Sequence, residues 1–435
     1  MIANSALLYC ARCQKHPNFM KIAIVGAGVV GVTTAFELAL DGHAVTVFEQ
    51  RSATAEEASF ATGGLLAPGV LDPWSAPGAA SPPSVLGRHA AMRVGRSISL
   101  AELSWLRRWR RAAHASARSG TPLPSLVALE RLARYSHARL QHLAESLDLA
   151  FEHSPGTLLL LRTPRDAEAL APALKALRDA GTAVRELDTE MARAIEPGLS
   201  PSLTLAGALH VPNGLAGNCR QFALLLRQAA QQRGAQFEFN TRVARLSGSP
   251  TGVQLEGASA PHPFDAVVLC AGVQSAALLR PLGLRLPLVA LYGSSVSAPL
   301  REELHAPLAA VVDVQTRTTM ARLGQRVRVS GGAELGRNTE KAHPQILNTL
   351  YRVLGECFPG GVTHSSGVQV WRGVRPMLPD GPPAVGATHV PGLWLNLGHG
   401  ASGWSLACGS ARALADQIAG KAPDIDLEGL GAQRF

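Results

Sequence analysis

The sequence predicts an α/β fold in which a discontinuous Rossmann-like domain carries an inserted α+β domain built on an antiparallel sheet. Three observations lead to this prediction. A β-rich run, a glycine turn and a helical pattern follow one another between Lys21 and Glu49. Similar strand–helix units return after residue 205. Between residues 287 and 331, short β-rich runs alternate apolar and polar residues, which is typical of an antiparallel sheet.

The first strand–turn–helix segment has the pattern of a dinucleotide-binding site. Gly26, Gly28 and Gly31 form G-x-G-x-x-G directly after the predicted strand Lys21–Val25. Gly26 allows a sharp turn, Gly28 lets a pyrophosphate approach the backbone, and Gly31 lets the helix pack closely on the strand. The N-terminus of the helix then offers unpaired N–H groups and a partial positive charge to the phosphates.

An acidic residue closes the second β-rich run, Ala44–Phe48. Glu49 lies about 20 residues beyond the glycine turn, where a carboxylate can hydrogen-bond a ribose diol. An acid at this position disfavours a 2′-phosphate, so NADP is not expected. The pattern alone does not distinguish FAD from NAD. The residues that it assigns to the cofactor are Val25, Gly26, Gly28, Val29, Val30, Gly31, Glu49 and Gln50.

Length and composition predict a globular protein of two domains. The chain has 435 residues, 46% of them hydrophobic, which is more than one core usually holds. Its net charge of +9 favours an anionic substrate or an anionic membrane surface. Nucleic acid is not expected, because no nucleic-acid-binding motif is present. No apolar run reaches the ~18 residues of a membrane-spanning helix. We expect a cytoplasmic protein, either free or peripheral on the cytoplasmic face of the inner membrane.

The N-terminal segment does not continue the strand–helix pattern. Residues 1–19 are predicted to be a disordered leader, or to result from a start codon placed too early. Cys10 and Cys13 with His16 have the spacing of half a zinc site, but no second ligand pair is visible, so we expect no metal. The six cysteines do not form a disulfide framework, which suits a reducing cytoplasm.

A second feature is an amphipathic helix within a mostly helical region, residues 82–146. Over residues 101–113, Trp105 and Trp109 share one face and four arginines lie on the other. Such a helix could lie on an anionic membrane. We favour the alternative, a surface helix whose tryptophans lie in the core.

The C-terminal part carries a second glycine loop. A predicted strand, Leu393–Leu397, ends in the sequence GHGASGW, and a helix of small residues follows over Ser405–Ile418. A glycine loop that opens a helix is again an anion site. Two such sites fit a flavin better than a nicotinamide cofactor. The second could direct its N–H groups at the N1–C2=O edge of the flavin.

Four stretches carry a family likeness: VGAGVVGVTTA, APGVLDPWSAPG, WRGVRPMLPDGPPAVG and LNLGHGASGWSLACGSA. Through them the chain resembles the FAD-dependent D-amino-acid oxidoreductase (DAO) family, which includes D-amino-acid oxidase, glycine oxidase and sarcosine oxidase. Within this family it is similar to the small subunit of bacterial D-amino-acid dehydrogenase. The likeness runs from Met20 to Phe435.

The resemblance implies a noncovalent FAD and the oxidation of a D-amino acid to its imine, which hydrolyses to a 2-oxo acid and ammonia. Hydride would pass from the substrate α-carbon to FAD. Arg375 would bind the substrate carboxylate, since a guanidinium pairs bidentately with a carboxylate, and His399 is the second predicted catalytic residue. The further cofactor-binding residues implied are Val243, Ala271, Gly272, Gly398, His399, Gly400, Gly403 and Trp404.

Two departures from the dehydrogenase pattern leave the substrate open. Leu291-Tyr292-Gly293-Ser294 stands in place of Leu-Lys-Gly-Tyr, and Thr316-Arg317 in place of Tyr or His followed by Lys. The alternative is an oxidase of glycine, sarcosine or a cyclic imino acid that produces hydrogen peroxide. The electron acceptor is then oxygen rather than a quinone or electron-transfer partner at the inner membrane. A noncatalytic flavoprotein subunit is a third hypothesis, against which the intact Arg375 argues.

The late return of strand–helix units sets the predicted domain limits. We expect residues 20–80, 205–282 and 366–435 to form the FAD-binding domain, and residues 81–204 and 283–365 to form the substrate domain.

Overall fold

The structure is a computed structural model that describes residues 19–68, 71, 74–75, 77, 92–95, 97–119, 123–336 and 341–435. Almost all of the predicted leader, with Cys10, Cys13 and His16, lies outside these residues. Within the described parts, no helix is long and apolar enough to cross a bilayer.

The secondary structure consists of α-helices and β-strands in alternation at both ends of the chain. The helices are α1 (Val29–Leu40), α2 (Leu100–Ser119), α3 (Pro124–Ser146), α4 (Pro164–Asp179), α5 (Thr189–Ile195), α6 (Cys219–Gln232), α7 (Ser275–Leu279), α8 (Pro344–Cys357) and α9 (Gly403–Ile418). The strands are β1 (Lys21–Val25), β2 (Ala44–Phe48), β3 (Leu65–Leu66), β4 (Met92–Val94), β5 (His153–Leu161), β6 (Arg185–Leu187), β7 (Gly207–Gly217), β8 (Gln236–Glu238), β9 (Val243–Gly248), β10 (Thr251–Leu255), β11 (His262–Pro263), β12 (Ala266–Leu269), β13 (Val289–Pro299), β14 (Ala310–Asp313), β15 (Thr318–Leu323), β16 (Arg326–Leu335), β17 (Gln369–Met377), β18 (Ala384–Ala387) and β19 (Leu393–Leu397).

The first sheet has the predicted Rossmann-like character. Its described strands follow the order β18-β19-β12-β1-β2-β8, and all but β18 run parallel. Strand β1 is buried on both faces, because Ile22 and Ile24 join one core while Ala23 and Val25 join another. On the first face, α1 packs against α6 and α9. The small sheet β9–β11 contributes Val243 to the core on the other face. This three-layer arrangement explains the near-continuous apolar sequence of β1.

The second sheet is the larger one and is mainly antiparallel, as predicted. Its main path follows the order β17-β13-β16-β15-β14-β5-β7-β3, with β4 and β6 pairing at its sides. Two pairs, β14 with β5 and β16 with β4, run parallel. Helix α8 packs on one face through Leu350, Val353 and Leu354, which lie in a core with Val296 and Val329 of the sheet. The region at residues 82–146, predicted to be mostly helical, contains α2 and α3 and also the short strand β4.

Strand pairing bears on the predicted domain limits. Strands β7 and β17 pair within the ten-stranded sheet, although the predicted limits assign both to the FAD-binding domain. A strand's partner is set by long-range packing, which the local sequence pattern does not show. We therefore propose that the ten-stranded sheet extends over residues 207–217 and 369–377, with the FAD-binding domain resuming at α6 and after β17.

Candidate active site

One continuous cavity lies between the two sheets and joins their functional residues. The glycine turn and Glu49 line it at one side, and β13, β16 and β17 line it at the other. Every residue predicted to bind the cofactor or substrate lines this cavity, with the exception of Gly31. The cavity-lining members of the predicted set are Val25, Gly26, Gly28, Val29, Val30, Glu49, Gln50, Val243, Ala271, Gly272, Arg375, Gly398, His399, Gly400, Gly403 and Trp404.

The three glycines of the first turn serve different contacts. Gly26 has φ +104°, and a Cβ there would lie 2.6 Å from the Cys270 carbonyl oxygen. A Cβ on Gly31 would overlap the Gly26 carbonyl oxygen, so Gly31 packs the helix on the turn instead of lining the cavity. A Cβ on Gly28 would meet only Ser59 Oγ, at 3.4 Å. The protein thus leaves room at Gly28, on the side that faces the cavity, as a close-lying pyrophosphate requires.

Glu49 has a structural contact that the sequence did not reveal. Its Oε2 accepts a hydrogen bond of 2.7 Å from the Ala27 N–H, and its Oε1 accepts one of 2.8 Å from the Arg51 N–H. The side chain is buried but still lines the cavity. Each carboxylate oxygen has a further lone pair, so Glu49 can fix the glycine turn and accept from a ribose hydroxyl together.

The second glycine loop brings the two sheets together. Gly398 and Gly400 have φ values of +80° and +58°, in the left-handed region that glycine adopts without strain. A Cβ on Gly400 would overlap Met377 Sδ. Met377, at the end of β17, also forms an isolated antiparallel bridge with His399. This bridge holds the substrate-side strand against the loop that the sequence assigns to the flavin, only two residues from Arg375.

The imidazole of His399 is turned into the protein. Its Nε2 lies 2.9 Å from Ser410 Oγ in α9, and 3% of the residue is exposed. Burial lowers the pKa of His399 to about 3, so the ring is neutral at physiological pH. The predicted catalytic role stays a prediction. The contacts support a positioning role, in which the side chain anchors the loop and its backbone lines the cavity.

Arg375 is fixed against the ten-stranded sheet. Its Nη1 donates a hydrogen bond of 2.8 Å to the carbonyl oxygen of Gly332 in β16. To reach it, the side chain crosses Gly293 of β13, where a Cβ would overlap the guanidinium. The guanidinium lines the cavity. A cation held in this way is suited to bind a planar carboxylate.

The cavity wall carries buried polar atoms that have no hydrogen-bond partner among the described residues. They belong to side chains that also line the cavity: Ser294 Oγ, Trp371 Nε1, Asn396 Oδ1 and Trp404 Nε1. Buried polar atoms are nearly always hydrogen-bonded in native proteins. The wall therefore suits a ligand with polar groups at several points, and FAD is such a ligand.

Three residues with a place in this site were missed as site residues at the sequence level. Ser59 accepts a hydrogen bond of 3.1 Å from the Val29 N–H at the start of α1, and a serine in a loop gives no signal of this. Gly293 matches the dehydrogenase pattern but lies between two departures from it, Tyr292 and Ser294, and Arg317 is itself a departure. Those departures were the available signal, but their meaning depends on strand pairing.

Comparison with known proteins agrees with this geometry. The family model described as DAO, FAD dependent oxidoreductase, matches residues 21–417. A D-amino acid dehydrogenase of Cereibacter sphaeroides strain ATCC 17029 is 39% identical over 427 residues, which cover 96% of this chain and 95% of the relative. A D-amino acid dehydrogenase of Rhizorhabdus wittichii is 35% identical over 423 residues, which cover 96% of this chain and all of the relative.

Among solved structures, glycine oxidase from Geobacillus kaustophilus has a similar fold. The TM-score is 0.72 at 22% sequence identity, covering 96% of this chain and 99% of that one. The match of the family model extends over both glycine loops and Arg375. The chain therefore belongs to the DAO family of FAD-dependent oxidoreductases, and FAD is its cofactor.

Proposed function

We propose that this protein oxidises D-amino acids to imino acids, which hydrolyse to 2-oxo acids and ammonia. The observation that carries the proposal is the position of Arg375, whose guanidinium lines the same cavity as both glycine loops. Two relatives that match almost their whole length with this chain are D-amino acid dehydrogenases, at 39% and 35% identity. A site of this kind would bind a carboxylate next to the cofactor.

The residues of the chain would bind and orient the substrate. Bound FAD supplies a two-electron acceptor. Arg375 holds the substrate carboxylate, and its bond to the Gly332 carbonyl fixes the direction in which its remaining N–H groups point. Correct orientation of reacting groups provides much of the rate enhancement when no covalent intermediate is needed. His399 stays neutral and buried, so the structure does not offer its ring as the base that accepts the substrate's ammonium proton.

We further propose that the electrons leave to a quinone or another electron-transfer acceptor at the cytoplasmic face of the inner membrane. Helix α2 supports this. Trp105 and Trp109 are 1% and 3% exposed and stack on each other inside the core, as we favoured from the sequence. The four arginines of the opposite face, Arg107, Arg108, Arg110 and Arg111, are exposed. A basic face of this kind is attracted to anionic lipid headgroups.

Sedimentation with vesicles tests the membrane proposal. The protein should bind phosphatidylglycerol vesicles and not phosphatidylcholine vesicles, and binding should weaken with salt. Replacement of the four arginines of α2 by glutamine should abolish binding while the catalytic rate with a soluble dye stays unchanged. Equal binding to both lipids, or no effect of the arginines, would contradict it. Hydrogen peroxide formed in step with substrate loss under air would favour the alternative, a soluble oxidase.

The activity itself is tested with the purified holoenzyme, a panel of D- and L-amino acids and an artificial electron acceptor. We expect D-enantiomers to be consumed with formation of equal amounts of 2-oxo acid and ammonia. Glycine, sarcosine and proline belong in the same panel, because an oxidase of small or cyclic amines is the alternative. Activity confined to these, or to L-amino acids, would overturn the proposal.

A further inference from the structure

A second arginine lies in the substrate side of the cavity. Arg317 ends the turn between β14 and β15 and has φ +54°, a conformation that costs free energy for a residue with a Cβ. Asp313 fixes this turn through two hydrogen bonds. Its Oδ1 accepts one of 2.9 Å from the Thr316 N–H, and its Oδ2 accepts one of 2.8 Å from Arg162 Nε. The backbone is thus fixed in a conformation that directs residue 317 toward the cavity that it lines.

The guanidinium of Arg317 is removed from solvent. The residue is 7% exposed, and its Cζ lies 5.1 Å from the centroid of the Trp74 ring. The Trp74 Nε1 also donates a hydrogen bond of 3.3 Å to the Arg317 carbonyl oxygen. Burial lowers the pKa of Arg317 to about 10, so the side chain remains charged at neutral pH. A buried cation stacked on an aromatic ring is held in a defined place.

Strand pairing relates the position of Arg317 to that of Arg375. The Arg375 guanidinium reaches Gly332 of β16, and Gly331 of β16 pairs with Thr318, the residue that follows Arg317. Neighbouring strands lie about 4.8 Å apart, so the Arg317 backbone and the group that Arg375 contacts lie on adjacent strands, and both arginines line the same cavity. The charged residues that the ten-stranded sheet and its described turns contribute to the cavity lining are these two arginines.

We propose that the preferred substrate carries a second acidic group in its side chain, which Arg317 binds while Arg375 binds the α-carboxylate. D-Aspartate and D-glutamate are the simplest members of this substrate class. Carboxylates are the strongest partners of a guanidinium, because the hydrogen bonds are charge-assisted and can be bidentate. This inference names the substrate class of the proposed function and rests on it.

The first test compares pairs of substrates that differ in charge and hardly in shape. For the wild-type holoenzyme, kcat/KM should be about tenfold to hundredfold higher for D-glutamate than for D-glutamine, or for D-aspartate than for D-asparagine. Arg317→Met should remove this preference, because kcat/KM should fall about tenfold to hundredfold more for the acidic substrates than for the amides. Arg317→Lys should keep part of it, because the charge remains. Arg322→Met is the matched control, because Arg322 lies in β15, the strand that follows Arg317, and pairs with Glu303.

A wild-type enzyme that prefers the amides, or an Arg317→Met variant that loses all substrates equally, would overturn the inference. A second test needs no turnover. Glutarate should bind the holoenzyme more tightly than valerate, measured as a perturbation of the flavin absorbance, and Arg317→Met should abolish the difference. If glutarate binds through Arg317 but no D-amino acid is oxidised, the proposed function fails while the dicarboxylate site stands. If D-amino acids are oxidised without a charge preference, the proposed function stands while the dicarboxylate site fails.

Discussion

The guanidinium of Arg375 lies across the backbone of Gly293, at the place where a Cβ on residue 293 would be. The two residues belong to neighbouring strands, β17 and β13, whose register sets Gly293 opposite Gly373. A glycine in the middle of a strand normally weakens the strand, and it often marks a close approach of another group. Here the approaching group is the side chain that we propose binds the substrate carboxylate.

This relationship leads to the first prediction. Gly293→Ala should displace the Arg375 guanidinium and raise KM for carboxylated substrates about tenfold to hundredfold, because small misplacements of a binding group cost large factors in rate. Steady-state kinetics and FAD content measure it, and FAD content should not change. The control is Gly355→Ala in α8, where a Cβ meets no atom within 4 Å. A Gly293→Ala enzyme with wild-type KM would show that the guanidinium does not hold the carboxylate.

The glycine turn gives a second prediction, which separates cofactor binding from folding. Gly28→Ala should fold with near wild-type apoprotein stability but lose FAD, since the Cβ would meet only Ser59 Oγ at 3.4 Å and would point into the cavity. Gly31→Ala should destabilise the apoprotein as well, because its Cβ overlaps the Gly26 carbonyl oxygen. Thermal unfolding of the apoproteins and the absorbance of the bound flavin provide the two readouts. Equal apoprotein stability of the two variants would contradict this assignment.

A third prediction concerns a buried carboxyl in α3. Burial raises the pKa of Glu130 to about 7, although its Oε1 accepts a hydrogen bond of 3.1 Å from Thr182 and Arg134 lies near. Between the pKa of the unfolded chain and about 7, the folded state binds more protons than the unfolded state. The contribution of this group to the free energy of unfolding therefore decreases as the pH rises through that range.

Glu130→Gln removes the cost of ionising this buried carboxyl. The free energy of unfolding of the variant should therefore exceed that of wild type by on the order of 2 kcal/mol at pH 8 and be about equal to it near pH 5. The amide has nearly the same shape, and its oxygen can still accept the hydrogen bond from Thr182. Denaturant unfolding at the two pH values measures the difference. A variant that is less stable at pH 8 would show that the carboxylate has a stabilising partner.

The fourth prediction follows from the buried state of His399. With a pKa of about 3 the ring does not titrate near neutrality. The rate constant of flavin reduction at saturating substrate should show no break from an enzyme histidine between about pH 6 and pH 8. Stopped-flow absorbance measures this rate. A break that disappears in His399→Asn would restore the catalytic role that the sequence predicted.

The sequence was most informative where the chemistry is local in the chain. The glycine turn, Glu49 and the loop at Gly398 lie in short segments in which spacing alone predicts the structure, and all line the cavity. The relation of Arg375 to Gly293 could not be predicted, because it depends on which strands pair. The same holds for β7, which the predicted domain limits assign to the FAD-binding domain and which pairs within the ten-stranded sheet.

The burial of Arg317 is a second feature that the sequence could not predict. At the sequence level it was only a departure from a pattern, and its charge gave no indication of burial. Its position depends on a turn that Asp313 holds and on Trp74, which comes from a loop far away in the chain. Charged side chains are mostly exposed, so a pattern-based expectation places such an arginine on the surface.

The central claim is that the chain holds a D-amino acid by its carboxylate next to FAD. Its most direct test is anaerobic mixing of the purified holoenzyme with a single enantiomer of an amino acid while the flavin absorbance is followed. We expect a D-amino acid to bleach the flavin and the L-enantiomer to leave it unchanged. Arg375→Met should require far more D-amino acid for the same bleaching. A flavin that no D-amino acid reduces, or an Arg375→Met variant with unchanged dependence on substrate concentration, would contradict it.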